Sequence, residues 1–182
     1  FKTSFVPDDI QGTQWGLTKI NAVQAWDIST GNASVKIAVV DNAVSTLHED
    51  LQGNIYINTS EIAGNGIDDD LNGYTDDVSG YDVADGDGNP NPPASAGSSA
   101  PFIHGTHCAG TAAASTDNGV GIASIGFNTT IIPVKCTPDN SASQGNELPN
   151  AYDGVYYRIR AGADVISMSW GGGFLTTGES IM

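Results

Sequence analysis

Asp41 and His104 are the first residues whose types and positions suggest chemistry. Asp41 closes the apolar, β-branched run Val35 to Asp41, VKIAVVD. His104 opens a run of small residues, His104 to Ser115, HGTHCAGTAAAS, where a loop gives way to a helical pattern. In open parallel sheets, functional groups gather at the carboxyl ends of strands. A carboxylate at such an end can orient an imidazole through Nδ1–H and leave Nε2 to act as a general base. Each residue also has a plainer reading taken singly. An aspartate that ends a strand is commonly a turn or cap residue, and a lone histidine is more often structural.

A second group of residues is acidic. No Lys or Arg occurs between Lys36 and Lys135, while that interval holds 13 acidic residues, nine of them from Glu61 to Asp87. Packed carboxylates repel one another unless water or cations screen them. A solvated loop is one reading, and bound Ca²⁺ is the sharper one. The stretch Asp68-Asp69-Asp70-Leu71-Asn72-Gly73-Tyr74-Thr75-Asp76 fits the D-x-D-x-N-G opening of a calcium loop, with Asp68, Asp70, Asn72 and Asp76 as oxygen donors. The bidentate glutamate of an EF-hand is lacking, because Ser79 holds its position; Asp77 or a more distant group would have to close the shell. A further series follows: Asp82, Asp85, Asp87, Asn89 and Asn91. All-oxygen ligands without Cys or His suit Ca²⁺ and argue against zinc.

The elements that would position these residues alternate between strand and helix. Strands are expected at Val35 to Asp41, Ile131 to Cys136 and Val165 to Trp170, with Pro133 a mark against the second. Helices are expected at Thr18 to Trp26, with Ile20, Val23 and Trp26 on one face, and at His104 to Ser115. A third is expected at Glu147 to Ala161, with Pro149 in its first turn and Ala151, Val155 and Ile159 facing inward. Residues 61–101 read as one long loop insertion. The pattern predicts an α/β fold, a doubly wound parallel sheet with helices on both faces, without an internal repeat or clear domain boundary.

Composition agrees with one folded unit. The chain has 182 residues, 39% of them hydrophobic, and a net charge of −15. The acidity excludes a general nucleic-acid binder, and no apolar run is long enough to span a membrane. Cys108 and Cys136 match no zinc pattern; they could pair, but nothing in the sequence demands it, and free buried thiols are expected. Phe1 in place of Met suggests a processed or trimmed chain.

The residues flanking Asp41 and His104 carry a resemblance. Ile37-Ala38-Val39-Val40-Asp41 with Leu47-His48-Glu49-Asp50-Leu51 resembles the aspartate motif of subtilisin-like serine proteases. His104-Gly105-Thr106-His107-Cys108-Ala109-Gly110-Thr111 is similar to their histidine motif. Ile166-Ser167-Met168-Ser169-Trp170-Gly171-Gly172 resembles the strand that pairs with substrate. Cys108 beside the second histidine is similar to the thermitase and proteinase K branches. The resemblance implies Asp41 and His104 as triad members, His107 as a structural histidine, and Ser169, Trp170 and Gly171 as backbone partners of an extended peptide. It implies Ala142 to Gly145 as the opposite wall. Asn42 departs from the family's usual small hydroxyl residue, and Trp170 from its common leucine.

The resemblance also implies calcium at the Asp82 to Asn91 series, and a further site shared by Asp50 and Gln11. Cys108, if it lies near His104, would be a target for thiol reagents. The family's nucleophile motif, Gly-Thr-Ser-Met-Ala, does not occur. The order Asp, His, Ser places the serine beyond Met182. The expectation is therefore a secreted, calcium-stabilised serine endopeptidase acting on peptide or protein substrates, with this chain as the N-terminal part of its catalytic domain. The sheet would be incomplete and covered by a C-terminal remainder. The alternatives are a non-catalytic calcium-binding or interaction module on a protease-like half, and an inactive truncated fragment.

Overall fold

Four parallel strands form the sheet: β1 (Lys36–Asp41), β2 (Tyr81–Asp82), β3 (Thr130–Lys135) and β4 (Val165–Ser167), in spatial order β2-β3-β1-β4. The structure, a computed structural model, describes residues 5–96, 102–141 and 147–171. β1 pairs with β3 from Lys36↔Thr130 to Asp41↔Lys135, and with β4 from Ile37↔Val165 to Val39↔Ser167.

The continuous apolar runs follow from burial on both faces. Ala38 and Val40 of β1, with Ile132 and Val134 of β3, point to one face. There they meet Tyr157 and Ala161, at and just past the end of α4 (Ala151–Arg160). Val39 and Ile131 point to the other face and meet Ala109 and Ala113 of α3 (His104–Ala113). Helices therefore cover both faces of the sheet, as expected. α4 approaches closely because residue 154 is glycine; a Cβ there would stand 2.6 Å from the Cys136 sulfur and 2.7 Å from a Val40 methyl.

Pro133 sits in an interior strand without losing a ladder bond. The Ile131 carbonyl accepts from Tyr56 N–H and the Lys135 carbonyl from Val83 N–H, both on the β2 side. Pro133 faces that same side, between the Ile55 bridge and the start of β2, where Gly80 packs against it. The missing donor thus falls in a gap between two neighbours.

The largest differences in extent fall on the first helix, α4, β4 and the long loop. The first helix is two, α1 (Trp15–Lys19) and α2 (Ala22–Trp26), separated at Asn21, whose φ of 56° is left-handed. Asparagine tolerates that conformation better than most residues. Ile20 is exposed there, while Leu17, Ala22 and Trp26 pack on Ala123 and Phe127. α4 begins at Ala151, so Pro149 precedes the helix. Gly154 and Tyr157 join Ala151 and Val155 on its inner face, while Ile159 is 60% exposed.

β4 ends at Ser167 because the Trp170 indole N–H donates to the Val40 carbonyl at 2.8 Å, occupying the acceptor a longer strand would have used. The long loop contains β2. It is tied to α4 by Tyr74, which packs edge-on against Tyr81 and Tyr157 at 4.9 and 4.7 Å between ring centres. Both cysteines are free.

Candidate active site and acidic clusters

β1 delivers Asp41 to the carboxyl edge of the sheet, and α3 begins with His104 beside it. His104 Nδ1 lies 2.8 Å from Asp41 Oδ1 and 3.0 Å from Oδ2. The carboxylate is sealed, with a side chain 1% exposed, while the imidazole is 54% exposed. A buried carboxylate with a half-exposed imidazole gives the ring one fixed edge and leaves the rest accessible to solvent. Asp41 Oδ1 also accepts the Asn42 N–H at 2.8 Å. Residue 105 must be glycine for this approach, since a Cβ there would lie 2.3 Å from the Ala43 carbonyl oxygen and 2.8 Å from Asp41 Cβ.

Cys108, one turn along α3, places its sulfur 3.9 Å from both ring nitrogens of His104. Burial raises its thiol above the ordinary range; Ser169 opposes this and the Asp41 charge adds to it. Ser169 thereby lies beside Cys108. Ser169 and Gly171 are exposed, and Trp170 is half-buried against Tyr152. Ala142 to Gly145 lie outside the described residues. His107 is exposed and lines a separate cleft of about 580 Å³ with His48, Phe102, Ile103 and Ile122.

The acidic residues gather differently from their spacing. Glu61, Asp70 and Asp77 converge, with carboxylate oxygens within 4.8 Å of one another. Asp77 is fully buried and accepts from Asn58 at 3.0 Å, Asn72 at 3.0 Å and the Tyr157 hydroxyl at 2.9 Å. Burial pushes its carboxyl up. Asp70 and Asn72 therefore reach this cluster. Asp68 instead accepts the N–H groups of Asn72 and Gly73, and Asp76 those of Asn65 and Gly66. The D-x-D-x-N-G pattern is legible, but two of its four expected oxygen donors, Asp68 and Asp76, serve the loop's own backbone.

Asp82 and Asp85 cluster with Asp139. Between them stands the buried ammonium of Lys135, 2.5 Å from Asp82, 3.6 Å from Asp85 and hydrogen-bonded to Asp139. Burial alone would lower the lysine; its bonds to Asp139 and Asp82 outweigh that and raise it. Asp87 accepts the Asn89 N–H, Asn89 accepts from Asn91, and Asn91 accepts from the Thr46 N–H and hydroxyl. The chain itself thus supplies a cation to the series expected to bind calcium.

Asp50 is buried, and burial raises its carboxyl. It accepts the Ile122 N–H at 2.9 Å and the Asn118 side-chain amide at 3.3 Å. Asn118 N–H in turn donates to Asp9. Asp9 is 2% exposed, and its other carboxylate oxygen, Oδ1, is buried without a hydrogen-bond partner. Gln11 lies nearby but gives its side-chain N–H groups to the carbonyls of Gly121 and Asp9. Spacing missed Asp9, Asp139 and Lys135, each with a partner 53 to 109 positions away, and Glu61, whose partners lie 9 and 15 positions on. Lys135 carried one usable signal: a lysine inside an apolar strand run requires buried carboxylates.

The sequence profile of the subtilase family matches residues 32–180. Thermitase of Thermoactinomyces vulgaris is 34% identical over 178 residues, covering 97% of this chain and 50% of thermitase. The halolysin-like extracellular serine protease Nep of Natrialba magadii is 33% identical over 172 residues, covering 94% of this chain and 27% of Nep. A solved protease structure from Pseudoalteromonas arctica PAMC 21717 superposes with a TM-score of 0.58 at 27% identity, covering 86% of this chain and 47% of that one. The chain spans half or less of the length of each.

Proposed function

This chain belongs to the subtilase family, and from that premise we propose that it carries two of the three catalytic groups of a secreted serine endopeptidase. The observation that carries the reading is the sealed Asp41 carboxylate on Nδ1 of an otherwise open His104. Asp41 fixes the tautomer and favours the imidazolium. His104 Nε2 takes the proton of a serine hydroxyl as that oxygen attacks the peptide carbonyl, then returns it to the leaving amine. Water, deprotonated by the same imidazole, hydrolyses the acyl-enzyme. The serine would belong to a C-terminal remainder, which would also cover the β4 edge that has no neighbouring strand among the described residues.

Residues 1–182 form the N-terminal portion of the catalytic domain in this reading, with a calcium-binding insertion at 61–101. Ser169, Trp170 and Gly171 offer backbone groups to an extended peptide or protein substrate. Secretion is supported by the likeness to Nep. No helix among the described residues is long and apolar enough to cross a membrane.

Two places suit Ca²⁺ as resident cofactor. Asp9 and Asp50 offer two buried carboxylates, one with an unpartnered oxygen, beside Asn118. Glu61, Asp70 and Asp77 offer a second oxygen set beside Asn72. Bound there, the ion supplies charge neutralisation and ties each loop to the sheet. At Asp82 and Asp85 the Lys135 ammonium already occupies the centre, so the fit is poorer.

The test is fluorophosphonate labelling of the full-length protein. Labelling that Asp41→Asn and His104→Ala each suppress supports the proposal. No labelling of the unsubstituted protein overturns it in favour of a non-catalytic module.

A further inference from the structure

The first turn of a helix has N–H groups without partners inside the helix, and a side chain at the N-cap usually accepts one of them. α3 begins without such help. Its N-cap is Ile103, with helical backbone angles and no side-chain cap. The acceptor comes from elsewhere: Asn42 Oδ1, at the end of β1, takes the Gly105 N–H at 3.0 Å. The same oxygen takes the Ala43 N–H at 2.8 Å. Asn42 is 3% exposed, so water has no ready route to replace that oxygen.

The backbone of Asn42 acts on the other partner. Its N–H donates at 2.8 Å to Asp41 Oδ1, the oxygen that also holds His104 Nδ1 at 2.8 Å. One residue therefore grips the carboxylate with its main chain and the histidine's helix with its side chain. Gly105, the residue it grips, follows His104 directly and already lies against the Ala43 carbonyl.

We propose that Asn42 is a positioning residue that caps α3 across the fold and thereby sets the Asp41–His104 distance. The catalytic consequence rests on the peptidase reading; the geometric one does not. With alanine at 42, the Gly105 and Ala43 N–H groups lose their buried acceptor, and the first turn of α3 is free to draw back from β1.

The experiment uses the full-length protein, unsubstituted and as Asn42→Ala, Asn42→Asp and Asn42→Ser. Three quantities are read: the proton resonance of His104 Nδ1–H, hydrogen exchange of the Gly105 amide, and kcat and KM on a peptide substrate. In Asn42→Ala the Nδ1 resonance moves and broadens, and the Gly105 amide exchanges at least about tenfold faster. There kcat falls about ten- to a hundredfold while KM stays within about twofold. Asn42→Asp, which keeps the acceptor oxygen although it adds a charge beside Asp41, restores Gly105 protection. Asn42→Ser, with a shorter side chain, falls between and serves if the alanine variant does not fold. An Nδ1 resonance unchanged in Asn42→Ala or Asn42→Ser overturns the proposal, as does failure of Asn42→Asp to restore Gly105 protection. Absence of turnover in the unsubstituted protein overturns the peptidase reading alone, and the resonance still decides the role of Asn42.

Discussion

The ammonium of Lys135 lies 2.5 Å from a carboxylate oxygen of Asp82, with both side chains sealed from solvent. Breaking such a pair leaves one buried charge uncompensated, which costs about 3–5 kcal/mol. Lys135→Met should lower unfolding free energy by that amount in urea titration. Lys135→Met with Asp82→Asn should recover part of it. If the double variant is no more stable than the single, the pair does not carry the cost.

Ca²⁺ should stabilise the protein through Asp9 and Asp50. The Asp9 oxygen without a partner and the desolvated Asp50 carboxyl both gain from a bound cation. The thermal midpoint should rise from excess EDTA to millimolar Ca²⁺, and Asp50→Asn should remove part of that rise. Equal midpoints in the two media would refute it. At one hundred times Kd, the expected gain is about 2.7 kcal/mol.

Gly105→Ala should damage the site through space alone. Its Cβ would press on the Ala43 carbonyl and on Asp41, so the first turn of α3 must move outward. Overpacking of this kind costs about 1–3 kcal/mol. Denaturant midpoints should fall accordingly, and fluorophosphonate labelling should slow even where the variant is fully folded.

Alkaline pH should weaken the fold. Burial pushes the Cys136 thiol and the Tyr157 hydroxyl well above their ordinary values, with the Asp41 charge adding at Cys136 and Asp77 at Tyr157. Each group holds its proton more tightly when folded. That stability is fully present below the unfolded value and is lost as pH rises past it. Stability should fall once pH exceeds 9.0 for the thiol and 10.0 for the phenol. Cys136 should resist iodoacetamide in the native protein, and Cys108 should react slowly at neutral pH. Rapid alkylation of both thiols below pH 8 would contradict this.

The parallel sheet was legible because burial on both faces leaves no polar position between the charged ends of β1, Ile37 to Val40, or in the centre of β3. Asp41 and His104 were legible for a related reason: each marks the point where an apolar or small-residue run meets the site. Other features were hidden by distance along the chain. Asp9 gains meaning only beside Asp50 and Asn118, and Lys135 only beside Asp82 and Asp139. The split of the first helix at Asn21 turns on a single left-handed residue. The end of β4 is set by an indole that reaches back to Val40, which no local pattern of strand residues announces.

The position of β1 in the sheet bears on how the molecule is made. β1 lies between β3 and β4, whose residues follow it by roughly a hundred positions or more. As the chain leaves the ribosome, the strand that ends in Asp41 has neither neighbour until β3 and then β4 emerge. Its unpaired edges and apolar faces must wait through that interval. Long-range parallel pairing of this kind folds slowly and exposes the chain to aggregation and nicking. Synthesis at about 5–20 residues per second makes the wait for β3 alone roughly 5–20 seconds.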